Sequence, residues 1–254
     1  MNNNSYWQHR LSDNAFKKHT AAMEKALLKC YKQANRSIKA EITELYSKML
    51  SDGGEISSNS LYVYGRYSAL QDTIQKEMRK LGNTEVEAVQ TTLLDAYREI
   101  YIKTSEKMGI ASDWTVLNEY AAKEIVNSNF KGANFSDRIW TNKAALKQQL
   151  EKSIIDTVIA GQSKDRVVEA ITNRFNVGFR DADRIVRTET MRVLNDGQKQ
   201  SYINKGYSKV EWLSEDDDRL CEECQPMDGK IFDINSVPSI VHPNCRCTFI
   251  PVIE

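Results

Sequence analysis

The chain has 254 residues, 41% of them hydrophobic and 28% charged, with 35 basic and 35 acidic side chains in balance. This composition fits a soluble globular protein of one large domain or two ordinary ones. No apolar run approaches the roughly 20 residues of a membrane span. The opening MNNNSYWQHRLSDNAF lacks the apolar core of a secretory signal. The expected compartment is therefore a reducing cytoplasm, which argues against disulfides and against a membrane partner.

The balance of charge is uneven. Residues 205–254 hold ten acidic and five basic side chains, which leaves residues 1–204 mildly basic. An acidic tail is a poor surface for phosphate, so nothing in the charge demands nucleic acid.

The first of only four prolines is Pro226, so a helix is permitted everywhere before it. Residues 5–50 predict one or two long helices, with Ile38, Ile42, Leu45 and Met49 recurring every three or four positions. Ser51-Asp52-Gly53-Gly54 reads as a stop. A second helix is expected over residues 60–81, with Tyr62, Tyr64 and Tyr67, closed by Gly82-Asn83. A third runs from Thr84 to Met108, with Thr84 and Glu87 as a capping box and Gly109 as its stop. Asp113 would cap a fourth, reaching Phe130.

The loop Lys131-Gly132-Ala133-Asn134 is the best domain boundary, giving a helical region over 1–131 and a second domain over 132–254. In the latter, Leu146, Leu150, Ile154 and Val158 step by four along one stripe. Gly161 stops that helix. Ser163 would cap a short one containing Val167, Val168, Ile171 and Phe175. A turn at Asn176-Val177-Gly178 then precedes a helix from Phe179 to about Asn204. Beyond Gly206 the period changes. Lys209–Leu213, Lys230–Phe232 and Thr248–Ile250 with Val252-Ile253 predict short strands, with a turn at Asp228-Gly229. The fold class is thus mainly α, with long N-terminal helices and a small β-module over 207–254.

That module holds four of the five cysteines. Cys221 and Cys224 are two residues apart, a spacing that clasps one soft ion from a tight turn. His242, Cys245 and Cys247 follow after a gap of about twenty. Tetrahedral zinc needs four of these five candidates, and spacing does not choose which of the last three complete it. Such a zinc would be structural, since protein ligands can fill every position. With little apolar bulk in the tail, the ion would replace a core. Buried free thiols, or a Cys221–Cys247 or Cys224–Cys245 bridge on an extracellular particle, are the competing readings.

Other polar groups carry weaker signals. Arg180, Arg184 and Arg187 share one helix face, which reads as solvated and ion-paired sooner than as a phosphate track. Glu189, in Arg187-Thr188-Glu189, has the chemistry of a catalytic carboxylate, but Arg187 and Glu189 more simply tie the helix to the β-module. Glu215-Asp216-Asp217-Asp218 lacks the ligand spacing of a calcium loop. His9 and His19 are assigned nothing, and Cys30 reads as core. No phosphate loop, GxSxG elbow or HExxH helix is present.

Taken in order, Ile185–Thr190, Gly206-Tyr207, Val210–Leu213, Asp218–Cys224, Met227–Phe232 and His242–Cys247 resemble the phage Mu F-like head morphogenesis domain. The likeness spans roughly residues 135–252. Tyr6–Arg10 is also similar to the start of minor head proteins. The resemblance implies a minor head (minor capsid) protein of a phage or prophage. It would be made in the bacterial host cytoplasm and built into the procapsid or virion at the portal vertex. There it would act in head assembly, DNA packaging or DNA delivery, with the portal protein, and a scaffold or major capsid protein, as partners. No enzymatic role and no small-molecule substrate is implied. Similar domains occur fused to toxins; this chain ends soon after Cys247, so none is expected here. A nucleic-acid-binding zinc module is the alternative. A hydrolase or transferase using Glu189 and the Cys/His cluster is a further one.

Overall fold

The computed structural model describes residues 3–51, 65–109, 114–214 and 222–252. Among these the chain is mainly helical: α1 (Asn3–Ser51), α2 (Arg66–Lys107), α3 (Val116–Val126), α4 (Phe135–Ile159) and α5 (Lys164–Asn204). Three short strands follow: β1 (Lys209–Leu213), β2 (Ile231–Asp233) and β3 (Thr248–Pro251). They form one antiparallel sheet in the order β2-β1-β3, with Val210 opposite Phe232 on one side and Trp212 opposite Phe249 on the other.

Two expected breaks do not exist. Residues 66–107 form one helix straight through Gly82-Asn83, so Thr84 is not a cap. Residues 164–204 likewise form one helix through Asn176-Val177-Gly178. The glycines sit there for space. A Cβ on Gly82 would lie 2.5 Å from the Trp140 ring, and one on Gly178 would lie 2.9 Å from Leu146 Cδ2. By contrast Gly109, Gly161 and Gly206 take positive φ (69°, 63° and 88°) and do end helices. The cap of α3 is Thr115, whose hydroxyl accepts from Asn118 N at 3.4 Å. Asp113, Asp52–Gly54, Tyr62 and Tyr64 lie outside the described residues. Cys30 is half-buried on α1, not core.

The chain divides into two compact units, each made of discontinuous segments. One contains residues 24–87 and 136–183; the other contains 1–23, 88–135 and 184–254. Both draw on residues from either side of the 131/132 loop. In the first unit Leu27, Ile38, Ile42 and Met49 of α1, Leu70 and Ile74 of α2, the α4 stripe Leu146–Leu150–Ile154–Val158, and Ile171 and Phe175 of α5 are buried. The polar node of this unit is buried too. Lys143 Nζ lies 2.7 Å from Glu85 Oε2 and donates to the Tyr31 hydroxyl, which lies 3.1 Å from the same carboxylate. Each charge has its partner, which such burial requires.

The second unit carries the β-module. Its tail does have an apolar core, contrary to expectation. Val210, Trp212, Ile234, Val237, Ile240 and Phe249 are all buried. The Trp212 and Phe249 rings lie 6.3 Å apart, and Tyr202 of α5 meets Phe249 at 6.4 Å. A metal would therefore add to this core and not replace it. Gly197 of α5 lets α2 approach closely, since a Cβ there would lie 2.6 Å from Ile100 Cγ2 and 3.2 Å from the Tyr97 carbonyl.

Candidate metal centre

Three thiols converge in the β-module. Cys224 precedes a short 3-10 turn, Gln225–Met227, and its carbonyl accepts from the Ser214 hydroxyl at 3.1 Å. Cys245 closes a turn by donating its N–H to the His242 carbonyl at 3.1 Å. Cys247 lies at the entry to β3. All three are buried, and their sulfurs lie within 4.8 Å of one another. The Cys224 and Cys245 sulfurs are 3.8 Å apart. That separation is far beyond the roughly 2.05 Å of a disulfide. Four thiolates at about 2.3 Å from zinc would stand about 3.8 Å apart in a tetrahedron. The donor set and spacing therefore fit a soft tetrahedral ion.

One of the three thiols, Cys245, is also electrostatically prepared. A hydrogen bond from Cys247, working against burial and helped by backbone groups at Val241 and Cys247 and by His242, brings the Cys245 thiol down to about 5. This lowering favours the thiolate, the form that binds metal.

The other expected ligands stand differently. Cys221 lies outside the described residues, as does the acidic run Glu215–Asp218. His242 is not one of the three side chains that converge. Its Nδ1 lies 2.8 Å from the Pro243 carbonyl. A carbonyl only accepts, so Nδ1 carries the proton. Asn244, in the turn, takes φ +62°, a left-handed conformation that asparagine tolerates.

The ligand loop is held by polar residues that the sequence reading overlooks. Asn195 of α5 donates to the carbonyls of Ser239 (2.6 Å) and Cys247 (2.9 Å). The Thr248 hydroxyl lies 2.9 Å from Asn195 Oδ1 and 3.0 Å from Gln198 Oε1, and Ser12 of α1 donates to the same Gln198 oxygen at 2.8 Å. Asn244 N donates to the Thr188 hydroxyl at 3.0 Å. Arg246 donates to Asp13 at 2.6 Å, and the guanidinium groups of Arg246 and Arg187 both sit over the Phe16 ring, at 5.5 and 5.2 Å. A signal for this shelf exists in the sequence: Thr188, Arg192, Asn195, Gln198 and Ser201 recur every three or four residues, a polar stripe on one helix face.

Glu189 has a different role from the one expected. It is buried and pairs with Arg192, whose Nε lies 2.7 Å from Oε2. The same guanidinium donates to the Ile125 and Val126 carbonyls at 2.9 and 3.0 Å, and to Ser128. The pair ties α5 to the C-terminal end of α3, not to the β-module. Arg180 and Arg184 are exposed on α5.

Residues 148–250 match the family model of phage Mu protein F like proteins, bearing out the resemblance drawn from the ordered motifs. An NAD(+)–arginine ADP-ribosyltransferase, EFV, of Enterococcus faecalis (strain ATCC 700802 / V583) is 25% identical over 183 residues. The match covers 62% of this chain and 36% of that protein, so the chain spans about a third of the length of this curated relative. No solved structure gives a significant match. The likeness to phage Mu protein F like proteins thus covers residues 148–250, about two fifths of the chain.

Proposed function

We propose, from the Mu F-like character of residues 148–250, that the chain is a non-enzymatic minor head protein of a phage or prophage. In this reading it joins the procapsid at the portal vertex and acts in head assembly, DNA packaging or DNA delivery. The portal protein is its main partner, with scaffold or major capsid protein beside it. It is made in the host cytoplasm and ends in the virion. The observation that carries the reading is that the motif series from Ile185 to Cys247 falls inside the family match. Its described residues fall in one compact unit with the three-stranded sheet. No helix among the described residues is long and apolar enough to cross a membrane.

The Cys cluster has a structural role in this reading. Cys224, Cys245 and Cys247 hold a zinc ion, with Cys221 supplying the fourth thiolate by its CxxC spacing. The ion fastens the loop before β3 to the turn before β2. Its chemistry is charge neutralisation and cross-linking, with no site left for a reacting water.

The transferase relative raises a second reading, in which this chain modifies arginine. Against it, Glu189 is buried and already engaged by Arg192. The match also covers only 36% of that protein.

The test is fractionation of a phage lysate. The chain should sediment with procapsids, and its deletion should give particles with assembly or DNA-delivery defects. Normal infectious particles from the deletion would contradict the reading. Incubating the chain with NAD+ and an arginine-rich acceptor should give no modified arginine; modification would establish the transferase reading.

A further inference from the structure

Arg246, beside Cys247, leaves the metal loop and grips α1. Arg246 reaches Asp13 at 2.6 Å and covers the Phe16 ring at 5.5 Å. Thr248 shares the Gln198 oxygen with Ser12, at 3.0 and 2.8 Å. So the Arg246 contacts to Asp13 and Phe16 depend on where the segment around Arg246 lies, whereas Ser12 is held by Gln198 of α5 itself. That segment is set by Cys245 and Cys247, two of the three converging thiols. Among the described residues, Ser12 on Gln198 at 2.8 Å, and Lys18 and His19 on Glu99 at 2.6 and 2.9 Å, anchor this stretch through side-chain bonds independent of the metal loop. The first turns of α1 also bury Ala15, Phe16 and Met23, an apolar face that needs a cover.

We infer that the metal centre works as a clasp on α1: an occupied Cys cluster holds Arg246 against Asp13 and Phe16, and an empty one releases residues 11–23. The inference rests on the structural-zinc reading above. Both ligands flanking Arg246 must be fixed for its guanidinium to stay stacked on Phe16. A loop that has lost its ion keeps the Asn195 and Thr188 hydrogen bonds and, from Thr248 on, the pairing of β3 with β1.

Hydrogen exchange on the full chain tests this. It should be measured zinc-loaded, after EDTA, and on zinc-loaded Arg246→Ala and Arg246→Lys, with zinc per chain measured on each sample. The expected result is exchange at residues 11–23 at least tenfold faster after EDTA, with 184–204 and 139–158 unchanged. Arg246→Ala should show the same acceleration while still holding its zinc, and Arg246→Lys should fall between. Unchanged protection of 11–23 after the zinc has left would overturn the clasp. So would wild-type protection in Arg246→Ala, or equal acceleration across 184–204. A chain that takes up no zinc would overturn the metal reading and the clasp together, and elemental analysis tells that failure from the others.

Discussion

Arg192 and Glu189 stand one turn apart on α5 as a buried ion pair, with Nε 2.7 Å from Oε2. The arginine's remaining donors close the carbonyls of Ile125 and Val126 at the end of α3. Arg192→Ala would leave a buried carboxylate and two unmet acceptors, at a cost of about 3 kcal/mol or more. Glu189→Gln keeps an acceptor for Nε and should cost about 1–2 kcal/mol. Urea unfolding of the two variants checks the order. A Glu189→Gln protein as stable as wild type would remove this structural role and reopen a chemical one.

Gly197 separates two opposing effects. Alanine is the better helix former by about 1 kcal/mol, so an exposed Gly197→Ala would stabilise. Here the new methyl meets buried Ile100 at 2.6 Å and the Tyr97 carbonyl at 3.2 Å. Overpacking of that kind costs about 1–3 kcal/mol, and backbone cannot swing aside. Net destabilisation is expected, partly relieved by Ile100→Val in the double variant. A raised melting temperature for Gly197→Ala would show that α2 and α5 are not in such close contact.

Those two cases show what was legible in the sequence. The helical period and the strand positions near Val210, Ile231 and Thr248 survive in the structure, because each is a local pattern. Gly82 and Gly178 mislead because a glycine read alone resembles a stop. Only the neighbours Trp140 and Leu146 reveal that it is a place for another helix. The shelf under the metal loop is distributed in the same way. Asn195 lies 52 residues from Cys247, and Asp13 lies 233 from Arg246, so no window along the chain shows them together. Periodicity could reveal the polar stripe on α5, but not what it holds.

Glu99 sets an acid limit. Partial burial would raise its carboxyl, but hydrogen bonds from Lys103, Lys18 and His19 outweigh it and hold the group down to about 2. A depressed carboxylate adds stability that is present above its unfolded value of about 4.5. That stability is lost as pH falls towards 2. The lysines are well exposed, at 45% and 65%, so screening reduces the gain to about 1 kcal/mol. Wild type should therefore lose more stability than Glu99→Gln between pH 5 and pH 2. Parallel pH profiles for the two proteins would contradict this.

The acidic tail bears on DNA. If the chain bound duplex through its basic body, retention on DNA would fall steeply with salt. The account expects little retention at physiological salt, and no change in Arg180→Glu/Arg184→Glu. Strong, salt-sensitive retention lost in that variant would favour the nucleic-acid reading.

The metal is the point on which most depends. The chain should be purified under reducing conditions and its zinc measured by elemental analysis, beside Cys224→Ser and Cys245→Ser. About one zinc per chain is expected in the wild type, little in either variant, and a lower melting temperature in both. A zinc-free wild type whose thermal stability neither substitution changes would contradict the structural-zinc reading.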